Sequence, residues 1–351
     1  MPEKMLETYQ VKQLKILDEK GNVDHALAPS LTDDELKKMY ESLIVMRTFD
    51  QRATNLQREG RLGTYPSIMG QEASQLGSAL AAAKSDWLFP SFRESGVYIA
   101  LGYPMHMLFQ YWSGDERGLK IPDGLNIFPL SIPVGTQIPH AVGVAMAAKY
   151  RQDRVATLVY FGDGGSSRGD FHEGLNIAGV FRLPVIFLCQ NNQWAISVPR
   201  EHQTAAKTIA QKAYAYGFDG IQVDGNDIFA VYKATSDALE KAKNGGGPTL
   251  IECFTYRMAD HTTSDDASRY RSKEEIESWM TKDPILLMKL YMEKKGLWTE
   301  AYQKDVQQRS KAAVDEAQKR AEMEQPPNPQ DMFTYTYASP TQRQARQLKD
   351  F

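Results

Sequence analysis

The chain has 351 residues, of which 42% are apolar and 24% charged, and a formal net charge of −3. That length supports a large core in one big or two medium domains, and the charge gives nucleic acid or an anionic membrane no electrostatic hold. No apolar run approaches the ~20 residues that span a bilayer, and the charged opening MPEKMLETYQVKQLKILDEKG lacks the apolar core of a secretory signal, so a soluble cytoplasmic protein is expected.

In chain order, residues 1–30 read as a polar arm with a short hairpin at KILDEKGNV. Thr32 followed by Glu35 makes a capping box that opens a helix running from Glu35 to Glu59 and ending at Gly60. A loop from Arg61 to Gly70 leads to a helix of small residues, Gln71 to Lys84, suited to tight packing against another element. Trp87 to Arg93 predicts a strand and turn before another helix, and the Gly- and Pro-containing stretch Gly114 to Pro133 predicts irregular chain. A second small-residue helix, Thr136 to Lys149, precedes an apolar run from Ala156 to Phe161 that breaks at Gly162-Asp163-Gly164-Gly165. An amphipathic segment follows, then a run from Val185 to Cys189 that breaks at Asn191-Asn192. Ile221 to Val223 and Leu250 to Phe254 predict further buried strands. Residues 258–273 form a polar loop, and a helical region then ends in the charged stretch Thr299 to Glu324, just before the break Gln325-Pro326-Pro327-Asn328-Pro329. The expected organisation is an arm (1–30), an α/β domain (31–325) and a tail (326–351). Alternating strands and helices predict a mostly parallel central sheet with helices on both faces.

Residues 156–192 read as one βαβ unit. Its polar breaks fall at the carboxyl ends of parallel strands, where open α/β sheets bind ligands. There Asp163 and Asn192 can converge on one hard cation, while Gly164 and Gly165 let the backbone approach a diphosphate. A lone Gly-Asp-Gly is ordinary turn chemistry, and Asn-Asn after a strand is usually a turn; the two at matching strand ends of one unit are far more specific. No G-x-x-x-x-G-K-[ST] occurs, and Ser167 stands where a dinucleotide fingerprint needs its third glycine. Cys189 and Cys253 end or nearly end apolar runs and read as buried thiols in a reducing compartment. His140 and His172, on predicted helices, read as packing residues.

The Gly-Asp-Gly to Asn-Asn block resembles the thiamine diphosphate and magnesium motif of thiamine-dependent enzymes. Further segments, among them FPSFRESG, PVGTQIPHAVGVA, GIQVDGNDIFAVY and YRMADHTTSDDASRYRS, resemble the alpha subunits of thiamine-dependent 2-oxo acid dehydrogenases in order from about residue 45 to 300. The resemblance implies the thiamine diphosphate-binding fold, with Mg2+ held by the side chains of Asp163 and Asn192 and the carbonyl of Trp194, a position usually tyrosine or phenylalanine in the family. All-oxygen coordination suits that cation. It further implies that Gly164 and Gly165 face the diphosphate and that Arg93 binds phosphate. Phe92 replaces a tyrosine common in relatives, with one hydroxyl contact fewer, and Ile132 and Val134 meet the pyrimidine ring.

His261 falls on the family histidine that reaches the cofactor and assists acyl transfer. A loop histidine without that context is more often a bystander. Asp260 beside it would favour the protonated imidazole if the two interact, and otherwise faces water. Thr262 stands where mitochondrial relatives carry a regulatory phosphorylated serine and reads here as structural. No acid in the chain fits the family's cofactor-activating glutamate, which comes from a beta subunit. The resemblance therefore implies an α2β2 heterotetramer with shared sites, oxidative decarboxylation of a 2-oxo acid, and transfer of the acyl group to a lipoyl arm on the acyltransferase core. Pyruvate is the first substrate expected, branched-chain oxo acids second and acetoin third. A silent scaffold paralogue would be expected to lose Asp163, Asn192, Arg93 or His261, and all four are present.

Overall fold

A computed structural model of the chain describes residues 3–334 and 336–350. Its first long helix, α1 (Asp33–Arg58), starts where the capping box predicts: the Thr32 hydroxyl accepts from Glu35 N while the Glu35 carboxylate accepts from Thr32 N. Gly60, with φ of +72°, turns the chain away after it. Apolar residues recur at helical spacing, and Leu36, Met39, Tyr40, Leu43 and Met46 are buried.

Six strands form one all-parallel sheet: β1 (Lys12–Leu14), β2 (Trp87–Phe89), β3 (Thr157–Gly162), β4 (Val185–Asn191), β7 (Asp219–Asp224) and β8 (Thr249–Phe254), in the spatial order β1-β7-β8-β4-β3-β2. A separate antiparallel ribbon joins β5 (Trp194–Ala195) to β6 (Val198–Pro199), and the short helix α7 (Arg200–Gln203) follows it. The period of two in β3 and β4 divides their side chains between two cores. Leu158, Tyr160, Ile186 and Leu188 enter one cluster, and Val159, Phe161, Val185, Phe187 and Cys189 enter the other.

Helices α2 (Glu72–Ala81) and α8 (Ile228–Lys243) cover the first face. Helices α5 (Gln137–Arg151) and α6 (Gly169–Phe181) cover the second. The small residues of α2 serve close packing: a Cβ added to Gly77 would lie 2.9 Å from the Ile228 carbonyl oxygen. Two short helices, α3 (Ser95–Ala100) and α4 (Met105–Trp112), follow β2, and residues 114–133 are irregular apart from a turn at Glu116–Leu119 and a bridge from Ile127 to Leu88 of β2.

The N-terminal segment is bound to the domain rather than only lying beside it. Its hairpin pairs Leu17 with Val23, and β1 adds to the edge of the sheet. Ile16 N and Leu17 N donate to Asp227 Oδ2 at 2.6 and 2.7 Å, while Asp227 Oδ1 caps α8. One buried carboxylate thus ties the arm to a helix start. The C-terminal helices include Pro284–Lys294 and Glu300–Met323, and no helix crosses 325–329. Among the described residues no helix is long and apolar enough to cross a membrane. Both cysteines are buried and free; burial raises both thiols, that of Cys253 to about 12. His140 and His172 correct the sequence reading. Both are exposed, and the His172 ring meets the Tyr216 hydroxyl at 2.5 Å.

Candidate active site

Because every strand of the sheet is parallel, the carboxyl ends of β2, β3 and β4 open on one side. Register pairs Gly162 of β3 with Gln190 of β4, so Asp163 and Asn192 emerge side by side. A cleft of about 680 Å³ lies there. It is lined by all ten residues singled out above: Phe92, Arg93, Ile132, Val134, Asp163, Gly164, Gly165, Asn192, Trp194 and His261.

Asp163 is only 2% exposed, and its Oδ2 has no hydrogen-bond partner among the described residues. Burial raises its carboxyl to about 6, against the pull of Arg257, Arg200 and Arg93. A buried, unpaired carboxylate oxygen is costly unless something positive meets it. Nearby, Asn192 donates through Nδ2 to Gln71 Oε1 at 2.6 Å and accepts through Oδ1 from Trp194 N at 3.2 Å. The Trp194 carbonyl accepts from Arg257 Nη1 at 3.1 Å. One carboxylate, one amide oxygen and one carbonyl make a hard-cation donor set. Among the described residues no group of three or more His, Cys, Asp or Glu could hold a metal, so a cation in this cleft would rest on one carboxylate and on amide and carbonyl oxygens.

The turn after β3 needs its glycines. A Cβ on Gly164 would sit 2.8 Å from Ala195 Cβ, and one on Gly165 would sit 3.2 Å from Phe161 Cβ. Across the cleft Arg93 is 5% exposed. Its Nη1 donates to Ser67 O at 2.7 Å, and its Nη2 donates to His261 O at 2.9 Å and meets His261 Nδ1 at 3.1 Å. Burial and the neighbouring Arg257 lower this guanidinium to about 10. Phe92 places its ring 5.3 Å from the Arg93 guanidinium carbon and 6.0 Å from the His261 ring.

His261 is held in the neutral form. Burial, then Arg93 and Arg257, push its imidazole down to about 3. Both guanidinium groups have only donors, and they meet Nδ1 at 3.1 and 3.3 Å. Nδ1 is therefore the acceptor and Nε2 carries the proton. Asp260 neither protonates the ring nor simply faces water. Its Oδ1 accepts from Ala267 N at 3.0 Å and braces the loop. The carboxylate near His261 is that of Asp265, and it accepts from the backbone N at 2.9 Å rather than from the ring. Thr262 lines the cleft, and its hydroxyl accepts from Ser264 N at 3.4 Å.

Three residues of this region escaped the sequence reading. Arg257 is fully buried and donates to the carbonyls of Trp194 and Ile196, to Tyr270 and to His261, so it ties the polar loop to the ribbon. Glu94 lines the cleft at 2% exposure, accepts from Gln190 Nε2 at 2.7 Å, and is raised by burial to about 7. Ile196, at the ribbon turn, adopts φ of +56°, a strained value for a β-branched residue. Only its place two residues after Trp194 hinted at it.

The sequence profile of the dehydrogenase E1 component family matches residues 40–330. The chain is 45% identical over 313 residues to the alpha subunit of the pyruvate dehydrogenase E1 component of Staphylococcus aureus (strain Mu50), a match covering 89% of this chain and 85% of the relative. It is 44% identical over 323 residues to the 3-methyl-2-oxobutanoate dehydrogenase alpha subunit of Mycobacterium tuberculosis (strain H37Rv), covering 91% and 88%.

Proposed function

Because the chain belongs to the dehydrogenase E1 component family, we propose that it is the alpha subunit of a thiamine diphosphate-dependent pyruvate dehydrogenase. On this reading it works in the cytoplasm, in an α2β2 assembly with a beta subunit. It decarboxylates pyruvate and passes the acetyl group to the lipoyl arm of an acyltransferase. The observation that carries the reading is the unpaired, buried Asp163 Oδ2 in the same cleft as Asn192, Arg93 and the neutral His261.

Asp163, Asn192 and the Trp194 carbonyl would hold Mg2+. Gly164 and Gly165 would admit the diphosphate to the backbone, and Arg93 would offset its charge. When bound, thiamine diphosphate supplies a nucleophilic carbon able to attack a keto group and to hold the electron pair left by loss of CO2. Ile132 and Val134 offer it an apolar wall, and a water-poor cleft favours loss of a carboxylate's charge. His261 donates a hydrogen bond from Nε2 to a substrate oxygen as negative charge grows there. Its Nδ1 is occupied by two guanidinium groups, so the ring acts as a neutral donor rather than as an imidazolium. The acids lining the cleft are Asp163 and Glu94. The first is assigned to the cation, and the second accepts from Gln190 and from Arg93 N. The cofactor-activating glutamate is accordingly assigned to the beta subunit.

Identity does not separate the two substrate classes, since the pyruvate and the branched-chain relatives match at 45% and 44%. The segments GRLGTYPSIMGQEASQ and IPDGLNIFPLSIPVGTQ resemble pyruvate-type alpha subunits and favour pyruvate, while NNQWAIS, FRESG, GTQIPHAVG and HTTSDD resemble branched-chain ones. The test is decarboxylation by the chain co-expressed with its beta partner, with thiamine diphosphate, Mg2+ and an artificial electron acceptor. Higher kcat/KM on pyruvate than on 3-methyl-2-oxobutanoate is expected. The reverse order would assign the chain to branched-chain oxo acids, and turnover of neither by a cofactor-loaded complex would remove the reading.

A further inference from the structure

We propose that Arg168 is a second diphosphate-binding guanidinium in this cleft, an inference that rests on the thiamine diphosphate reading above. Arg168 directly follows the turn Asp163–Ser167 and stands at the start of α6. Its backbone N donates to Gly165 O at 3.1 Å, so it moves with the turn that carries Gly164 and Gly165. On its other side Gly135, with φ of +96°, comes so close that an added Cβ would lie 3.2 Å from Arg168 Cβ. The stem is therefore bracketed between the glycine turn and the loop bearing Ile132 and Val134. Arg168 lines the same cleft.

What distinguishes Arg168 is that its guanidinium is uncommitted. The side chain is exposed, and among the described residues its guanidinium has no hydrogen-bond or ion-pair partner. The other cations near Asp163 are engaged. Arg257 holds the Trp194 and Ile196 carbonyls, Arg200 holds the Ala206 carbonyl, and Lys212 holds Ser166. They contribute field but have fewer donors left to meet an incoming oxygen.

The charge balance points the same way. An organic diphosphate carries about three negative charges near neutral pH. A divalent cation offsets two, an ionised Asp163 returns one, and Arg93 offsets one. Counting those direct partners alone, about one negative charge is left to be met at contact distance, since Arg257 and Arg200 add field but spend donors on carbonyls, and a guanidinium meets phosphate oxygens with good geometry.

The experiment measures thiamine diphosphate affinity directly, without turnover. The chain assembled with its beta partner, in Mg2+, is titrated with thiamine diphosphate while tryptophan fluorescence is read; Trp112 and Trp194 line the cleft. Arg168→Gln is expected to raise Kd about tenfold. It should also flatten the loss of affinity between about 50 and 200 mM salt, because one screened ion pair is gone. Arg168→Lys should recover most of the affinity as a point charge. Equal Kd and equal salt dependence in wild type and Arg168→Gln would overturn the inference while leaving the cofactor reading intact. A wild-type assembly that binds no thiamine diphosphate would overturn both. Loss of partner assembly on gel filtration, with Kd unchanged in the assembled fraction, would make Arg168 a subunit contact and overturn the inference.

Discussion

Replacing Asp163 by asparagine keeps the shape of the side chain and removes its charge, and the two consequences should point in opposite directions. In the folded chain burial raises this carboxyl from its ordinary 3.8 to about 6. Each tenfold change in acidity is worth about 1.4 kcal/mol, so holding Asp163 ionised in the fold at pH 7 costs roughly 3 kcal/mol. A neutral amide in its place does not bear that cost. The metal-free, cofactor-free D163N chain should therefore be more stable than wild type at pH 7, by up to about 3 kcal/mol. The gap should have a pH signature. It is full above about 6, where the folded carboxyl is ionised, and it closes as pH falls toward 3.8, where both states are protonated. Urea unfolding between about pH 4 and 8, followed by circular dichroism, measures it. With the beta partner present, added thiamine diphosphate and Mg2+ should then stabilise the wild-type assembly and leave the D163N assembly where it was, by mass action on the folded state. Equal or lower stability of D163N at pH 7 would refute the argument that a buried, uncompensated charge sits at this strand end.

Three further outcomes follow from the same geometry. His261 should stay neutral with its proton on Nε2 from pH 8 to 5 in nitrogen-detected NMR of the ring, because its folded value is about 3; an imidazolium at pH 6 would contradict the guanidinium contacts at Nδ1. Since the unfolded ring takes up a proton below about 6.5 and the folded ring does not, this group lowers stability as pH falls from there, and His261→Asn should lessen that acid sensitivity in thermal melts. Gly164→Ala forces a Cβ to within 2.8 Å of Ala195 Cβ and should destabilise the turn by about 1–3 kcal/mol, visible as weaker thiamine diphosphate binding and a lower Tm. Thr32→Ala removes the capping box of α1 and should lower stability by about 1 kcal/mol with cofactor affinity unchanged, which urea unfolding and the fluorescence titration together check.

Much of the site was legible because it is built on regular elements. A strand's period and its breaking residues locate its carboxyl end, so Asp163 and Asn192 could be placed side by side from the sequence. The capping box likewise located α1 to within two residues at its start. The loop was legible only in part. Asp260 adjoins His261 along the chain, yet its carboxylate turns to Ala267 N, and the ring is governed by Arg93 and Arg257, 168 and 4 residues away. Adjacency in a loop does not fix contact, because successive side chains there follow no period. Arg257 was missed for the same reason, since its role comes from full burial among carbonyls and rings that separate segments supply.

The remaining gap concerns what the chain leaves uncovered. Ile132, Val134 and Ile196 are 49%, 42% and 56% exposed, and all three line the cleft. Exposed aliphatics scattered over a surface need no explanation, but three around one polar cleft do. Ile196 is also held there at a strained φ by the ribbon turn, its carbonyl bonded by Arg257. Strain of about 1–3 kcal/mol at one residue persists where the surrounding contacts over-determine it; here the ribbon pairs Ala195 with Val198 on either side and Arg257 bonds the carbonyl. An apolar rim fixed in this way suits a site meant to be shared: this chain would supply the cation and phosphate ligands, and a partner would supply the cover and the missing acid.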